Sequence, residues 1–454
     1  MSRDVIEHCQ DMAAAVVSAE APGVQPAAPA GLPEVLGGAA AEYAQLWAGL
    51  GSLYGLNLAI KSGLVQAGVA FPSSLVGMFL VVGLLAALDD ESSEKLTEFY
   101  GPALTWIARW LPIFYVPSLV TLPLGLQGVD GADLVRIVGL LAVGMTATLL
   151  FTAQITVAIR EAVKTPVIPI AKGKPYKPFE ASHFAAWGAL AAGSLAVTAL
   201  GDADAAAAAA LPFGLAATIG GYLVGGLVPS RLHGALHPVV VTAAVANAGI
   251  AAHGALVGMS YEAAQQAYLA KGAGPMGAGD LLMSFLGVVI ISFGFRVYAQ
   301  RDTMKRHFPE IAGATTLSSA FSLFSTALGA KALGLSQGLA LALIPRSVTV
   351  ALAVPIAQQL DAPLSITAAA VLLQGILGAN FGPSLMTQAG IKDTIARGLS
   401  AAATAGGLGT ASLTSKEPEA LPYCALSYAL VGITSTVLMS SPLVRDAIVA
   451  IVSG

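Results

Sequence analysis

Apolar blocks about twenty residues long recur from residue 43 almost to the C-terminus, and they constrain this chain more than any other feature. A helix needs that length to cross about 30 Å of hydrocarbon. Charged residues make up 11% of the 454, less than half of the about 25% usual in a soluble domain. Mean hydropathy is +0.76. The expected fold is an all-α polytopic membrane protein with about twelve transmembrane segments. They fall near Tyr43–Ile60, Pro72–Leu88, Leu104–Leu124, Leu134–Ile159, Ser182–Leu200, Ala205–Val228, His237–Val257, Asp280–Ala299 and Ile311–Leu333. Four more follow near Leu339–Gln359, Leu364–Phe381, Thr394–Leu413 and Pro422–Met439.

Between the blocks the chain is punctuated unevenly. Residues 1–42, with "SAEAPGVQPAAPAGLPEVLGG", read as a polar flexible tail. It lacks the apolar run of a secretory signal and the arginines of an organelle transit peptide. "DDESSEKLTEFYG" reads as an acidic loop, and "REAVKTPVIPIAKGKPYKPFE" (Arg160–Glu180) as the clearest boundary. Its prolines keep it extended and its lysines keep it in water. Four helices between them put the N-terminus and this connector on one side, which Lys/Arg bias turns toward the cytosol or its organellar equivalent.

Nothing points to chemistry on a substrate. Cys9 and Cys424 cannot build a disulfide framework, and no metal-type Cys/His spacing, phosphate loop or nucleophile–base set occurs. No enzyme activity, cofactor, metal or nucleic-acid partner is expected. The formal net charge of −4 identifies no partner. A bilayer is required; a homo-oligomer is left open.

Two segments break the pattern. "LALALIPRSVTVALAVPIAQQ" (Leu339–Gln359) sets Pro345 beside Arg346 in an oily run. Proline opens the helix, and broken backbone survives in a bilayer only where protein or a cavity surrounds it. With a helix restarting near Ser347, its free amides and positive end, the Ser347 and Thr349 hydroxyls and the Arg346 guanidinium would make a mid-membrane site for a small anion. Alternatively Arg346 snorkels at a membrane edge and Pro345 starts a helix. "ARGLSAAATAGGLGTASLTSKEPEALP" (Ala396–Pro422) is the second. Gly406, Gly407 and Gly409 permit a tight bend and close ligand approach, and Thr404 and Thr410 add hydroxyls. A small-residue face for helix packing is the alternative. The two breaks suggest a repeat in which "SFLGVVIISFGFRVYAQRD…FPEIAGATTLSSAFSLF" parallels "LIPRSVTVALAVPIAQQL…LSITAAAVLLQGILG".

Other polar residues divide between roles. Asn247 either lines a path or bonds a neighbouring helix, and Asn380 caps a half-helix or touches substrate. His237 and His183 read as interfacial, with a relay role for His253 the weaker option. Arg397, Lys392 and Asp393 read as an anchor for the glycine-rich segment, and Arg109, Trp106 and Trp110 as an interfacial belt.

"FPSSLVGMFL" and "WIARWLPIFYVPSLVTLP" resemble the LrgA (CidA) type of membrane protein; "LIPRSVTVALAVPIA", "LQGILGANFGP", "IKDTIARGL" and "GLGTA" resemble the LrgB (CidB) type. The fused order, with "SKEPEALPYCALSYAL", resembles the plastidial glycolate/glycerate translocator family of plants and algae. The resemblance implies residues 43–160 as an LrgA-like domain, 161–181 as a linker and 182–454 as an LrgB-like transport domain with discontinuous, re-entrant helices. Residues 182–204 read either as part of it or as an extra linking span. It implies exchange of small organic anions, glycolate and glycerate, across the plastid inner envelope in photorespiration. Bacterial relatives imply the alternatives, a holin-like pore or a pyruvate-type monocarboxylate transporter; a non-transporting scaffold is the third class. The substrate carboxylate would meet Arg346, beside Ser347, Thr349, Asn380, Thr404, Gly406, Gly407, Gly409 and Thr410. The family pattern has histidine just before the "GLGT" glycine, where this chain has Gly406.

Overall fold

The computed structural model describes residues 32–69, 71–165, 179–229, 232, 233, 236–270, 272, 274–414 and 416–453. All regular structure among these residues is helical. Most of the expected tail and the middle of the expected linker therefore lie outside the described residues.

The first half contains α1 (Leu32–Gln66), α2 (Ser73–Ala87), α3 (Asp90–Trp110) and α4 (Gly131–Val163). Helix α1 begins inside the stretch expected to be tail. The expected acidic loop is instead the start of α3. Asp89 caps it, accepting from the Ser92 amide at 3.0 Å, and Asp90 and Glu91 sit in the first turn, where acids oppose the positive helix end. Hydrogen bonds from Ser92 hold the Asp89 carboxyl below its ordinary value. Past Trp110 the chain continues as short turns, 111–114, 116–120 and 122–125, each with a proline at its start.

The second half runs through α5 (Ala181–Leu200), α6 (Ala203–Gly225), α7 (Pro238–Leu256), α8 (Leu286–Ala299), α9 (Phe308–Ala332), α10 (Gln337–Leu343), α11 (Val350–Gln359), α12 (Leu364–Gln388), α13 (Thr394–Thr414), α14 (Leu421–Ser440) and α15 (Pro442–Ser453). Among the described residues nine helices are long and apolar enough to cross a membrane, with Ser73–Ala87 and Val350–Gln359 as shorter apolar ones. The expected Trp belt is partly a core. Trp110 is buried, its ring 5.0 Å from Phe179 and 5.7 Å from Tyr222, because rings from both halves meet there.

Two segments double back. In α13, Gly406 has φ 56° and ψ −136°, and a Cβ on Gly409 would strike the Ala401 carbonyl. Residues eight apart in a straight helix are about 12 Å distant, so the chain has reversed. Arg397 and Glu417, twenty residues apart, form a two-pronged ion pair at 2.7 and 2.6 Å. In the other segment residues 344–349 are non-helical between α10 and α11. Ala342 lies against Thr367 near the start of α12, at 2.9 Å, while Gln359 reaches Ser440 at the end of α14, at 3.5 Å.

The hairpins come from opposite ends of the bundle. Arg160, at the end of α4, bonds Asp393 at 2.6 Å and Glu310 at 3.4 Å, so α9 and α13 both start at the connector end. Ser365, at the start of α12, lies against Gly125 just before α4, so α10–α11 leaves from and returns to the other end. Each long helix, α9 or α12, is followed by a hairpin, and the two units are inverted. Residues 308–359 and 364–414 thus share one plan, a long helix followed by a hairpin, in opposite orientation.

Candidate functional site

Arg346 ends at the tip of the first hairpin with 2% of its surface exposed. Its edge-snorkelling reading is excluded by that burial and by its partners. Nε donates to Thr326 Oγ1 at 2.7 Å, Nη1 to Gln374 Oε1 at 2.7 Å and Nη2 to Thr148 Oγ1 at 3.1 Å. Thr148 and Gln374 both sit near the midpoints of their helices, α4 and α12. Gly144, one turn from Thr148, leaves room for the guanidinium; a Cβ there would lie 2.7 Å from Cζ.

All three partners are neutral. Among the described residues no carboxylate forms an ion pair with Arg346. A guanidinium carries five N–H donors; three are satisfied, leaving one each on Nη1 and Nη2. Two parallel donors match a carboxylate.

Gln374 joins the two hairpins. Its Nε2 donates to Ser347 Oγ at 2.8 Å and to the Thr404 carbonyl at 2.9 Å. Ser347 also bonds Ser322 at 2.7 Å. Helix α11 restarts at Val350 with Thr349 as its cap, not at Ser347 as expected, because residues 344–348 form turns around Pro345. The Thr349 hydroxyl lies 2.9 Å from Tyr428 Oη.

The expected site residues thus separate. Arg346, Ser347 and Thr404 converge on Gln374. Gly406 makes the turn and Gly409 lets the two arms touch, while Gly407 faces the Tyr428 ring, 3.5 Å from where its Cβ would be. Thr410 donates back to the Gly406 carbonyl at 3.0 Å. Asn380 is exposed, on a different face of α12 from Gln374. Sequence reasoning missed Gln374, Thr326, Ser322, Thr148 and Tyr428; a glutamine inside "VLLQGILG" was the available signal.

Several bland readings hold. Asn247 bonds the Val120 carbonyl at 2.7 Å. His253 lies 3.1 Å from Thr198 and stacks on Phe213, beside a cavity of about 1120 Å³ lined by Phe213, Tyr268 and Leu364 that touches neither hairpin tip. Geometry and charge at Arg346 outweigh that cavity's size as a marker of function, since its lining is chiefly apolar.

A model of the LrgB-like family matches residues 218–444. The chain belongs to the LrgB-like family. Plastidal glycolate/glycerate translocator 1, chloroplastic, of Arabidopsis thaliana is 38% identical over 416 residues, which is 89% of this chain and 80% of that protein. An antiholin-like protein LrgB of Bacillus cereus is 26% identical over 162 residues, 36% of this chain and 70% of that protein. An uncharacterized protein of Bacillus subtilis is 33% identical over 132 residues, 29% of this chain and 59% of that protein. No solved structure matches the chain.

Proposed function

We propose that this LrgB-like protein is a secondary transporter that exchanges glycolate and glycerate across the chloroplast inner envelope in photorespiration, moving its substrates without transforming them. One observation carries the site: the buried Arg346 guanidinium has neutral partners only. An unpaired buried charge is costly, and a bound monocarboxylate supplies the missing counter-charge through the two N–H groups left over. The relative named for glycolate and glycerate supports this substrate class.

In this reading residues 182–454 form the transport domain and 43–160 the LrgA-like domain, joined by 161–181. A part for the LrgA-like domain in the site is supported by Thr148 of α4, which accepts from Arg346. Re-entrant hairpins from opposite membrane faces meet over one site. Withdrawal of one tip opens the site to one side while the other tip keeps it shut, the logic of inverted-repeat transporters.

Liposomes preloaded with glycerate test this. Labelled glycolate is expected to accumulate only against an internal counter-anion. Equal leakage of unrelated solutes would mean a pore of the holin kind, and no flux a scaffold; either refutes exchange.

A further inference from the structure

Resting on that reading, we infer that the Thr404 hydroxyl recognises the substrate's 2-hydroxyl and sets selection of 2-hydroxy acids over plain carboxylates. Thr404 is fully buried, and its Oγ1 has no hydrogen-bond partner among the described residues. A buried hydroxyl left unpaired is destabilising, so its persistence at this position points to a partner that arrives with the ligand.

Placement ties the hydroxyl to the anion donors. The Thr404 carbonyl accepts from Gln374 Nε2 at 2.9 Å, and the other end of that carboxamide accepts from Arg346 Nη1 at 2.7 Å. One planar amide therefore separates residue 404 from the guanidinium. A two- or three-carbon acid that presents its carboxylate to Nη1 and Nη2 carries its 2-hydroxyl on the adjacent carbon, which in this proposal meets the Thr404 side chain. The competing hydroxyls are already engaged: Thr349 with Tyr428, Thr410 with the Gly406 carbonyl, Ser347 with Ser322 and Gln374. Thr404 alone among the candidate side chains at the tips combines complete burial with an unused hydroxyl.

Recognition of this kind discriminates more sharply than pocket shape does. An acid lacking the hydroxyl, such as acetate, leaves Oγ1 unpaired, while glycolate and glycerate satisfy it. A 2-oxo acid such as pyruvate can accept from Thr404 but cannot donate to it.

The test measures competition against labelled glycolate uptake in proteoliposomes of the full chain, with unlabelled glycolate and acetate as competitors. Wild type is expected to favour glycolate by about tenfold or more. Thr404→Val, which keeps shape and removes the hydroxyl, is expected to cut that ratio about fivefold to tenfold, and Thr404→Ser to restore it. A ratio unchanged in Thr404→Val overturns the inference while leaving carboxylate exchange standing. Should Thr404→Val not fold, the wild-type ratio still decides: equal competition by acetate and glycolate overturns hydroxyl recognition. Failure of every carboxylate to exchange in wild type would instead remove the underlying function, and the inference with it.

Discussion

Arg346 Nη1 donates to Gln374 Oε1 at 2.7 Å, and the opposite end of that carboxamide holds Thr404 of the second hairpin at 2.9 Å. A single neutral side chain thus links the fixed positive charge of one hairpin to the backbone of the other. Gln374→Glu would set a carboxylate beside the guanidinium in the same volume, an internal substitute for the substrate anion. Glycolate exchange is expected to fall at least tenfold, and because the ion pair with Arg346 offsets the loss of the Nε2 donor to the Thr404 carbonyl, thermal stability is expected to fall only modestly. Gln374→Leu would leave a buried N–H and a buried carbonyl without partners. At about 1–3 kcal/mol for each such group, its unfolding midpoint is expected to fall clearly below that of Gln374→Glu.

Gly144 allows a test of the part that helix α4 plays in the proposed site. In Gly144→Ala the new methyl would lie 2.7 Å from Arg346 Cζ and 2.8 Å from Nη2, so the guanidinium has to move off Thr148. Because the far end of a flexible side chain yields, the protein is expected to fold, with the glycolate KM raised severalfold. Gly139→Ala, in the same helix with nothing within 4 Å of the new methyl, is the control and is expected to match wild type.

Sequence and structure agree where backbone chemistry is written in single residues. Pro345 beside Arg346 announces a break, and Gly406 with Gly407 and Gly409 announces a turn; both are present. Partners of the guanidinium are another matter. Thr148, Thr326 and Gln374 come from three helices far apart in the chain, and threonine or glutamine within a span has no periodic signature. The direction of each hairpin was equally hidden, because hydropathy records depth in the bilayer but not whether a chain crosses or returns. Asp89 and its neighbours read as loop for a related reason: acids are surface residues in composition but helix starters in position.

Gly406 is expected to tolerate no side chain. Its φ of 56° with ψ of −136° lies outside the regions open to L-residues, so Gly406→Ala is expected to cost about 1–3 kcal/mol. Gly407, the next residue, has ordinary helical backbone and a Cβ position 3.5 Å from the Tyr428 ring. Gly407→Ala should therefore lower the unfolding midpoint less than Gly406→Ala.

His237, the cap of α7, couples stability to pH. Burial, and then repulsion from His233, lower its pKa from 6.5 to about 4, so the folded protein keeps it neutral. On acidification the unfolded chain takes up the proton first. Its contribution is full above pH 6.5 and is lost as pH falls toward 4. The unfolding midpoint of wild type is expected to decline over that window more steeply than that of His237→Asn, which keeps a capping side chain but cannot titrate.

Equilibrium binding of labelled glycolate to purified protein, wild type against Arg346→Gln, reaches the central claim without the complications of flux. Wild type is expected to bind saturably, with glycerate displacing the label, and folded Arg346→Gln to show no saturable binding. Undiminished, glycerate-displaceable binding by Arg346→Gln would contradict an anion site built on that guanidinium.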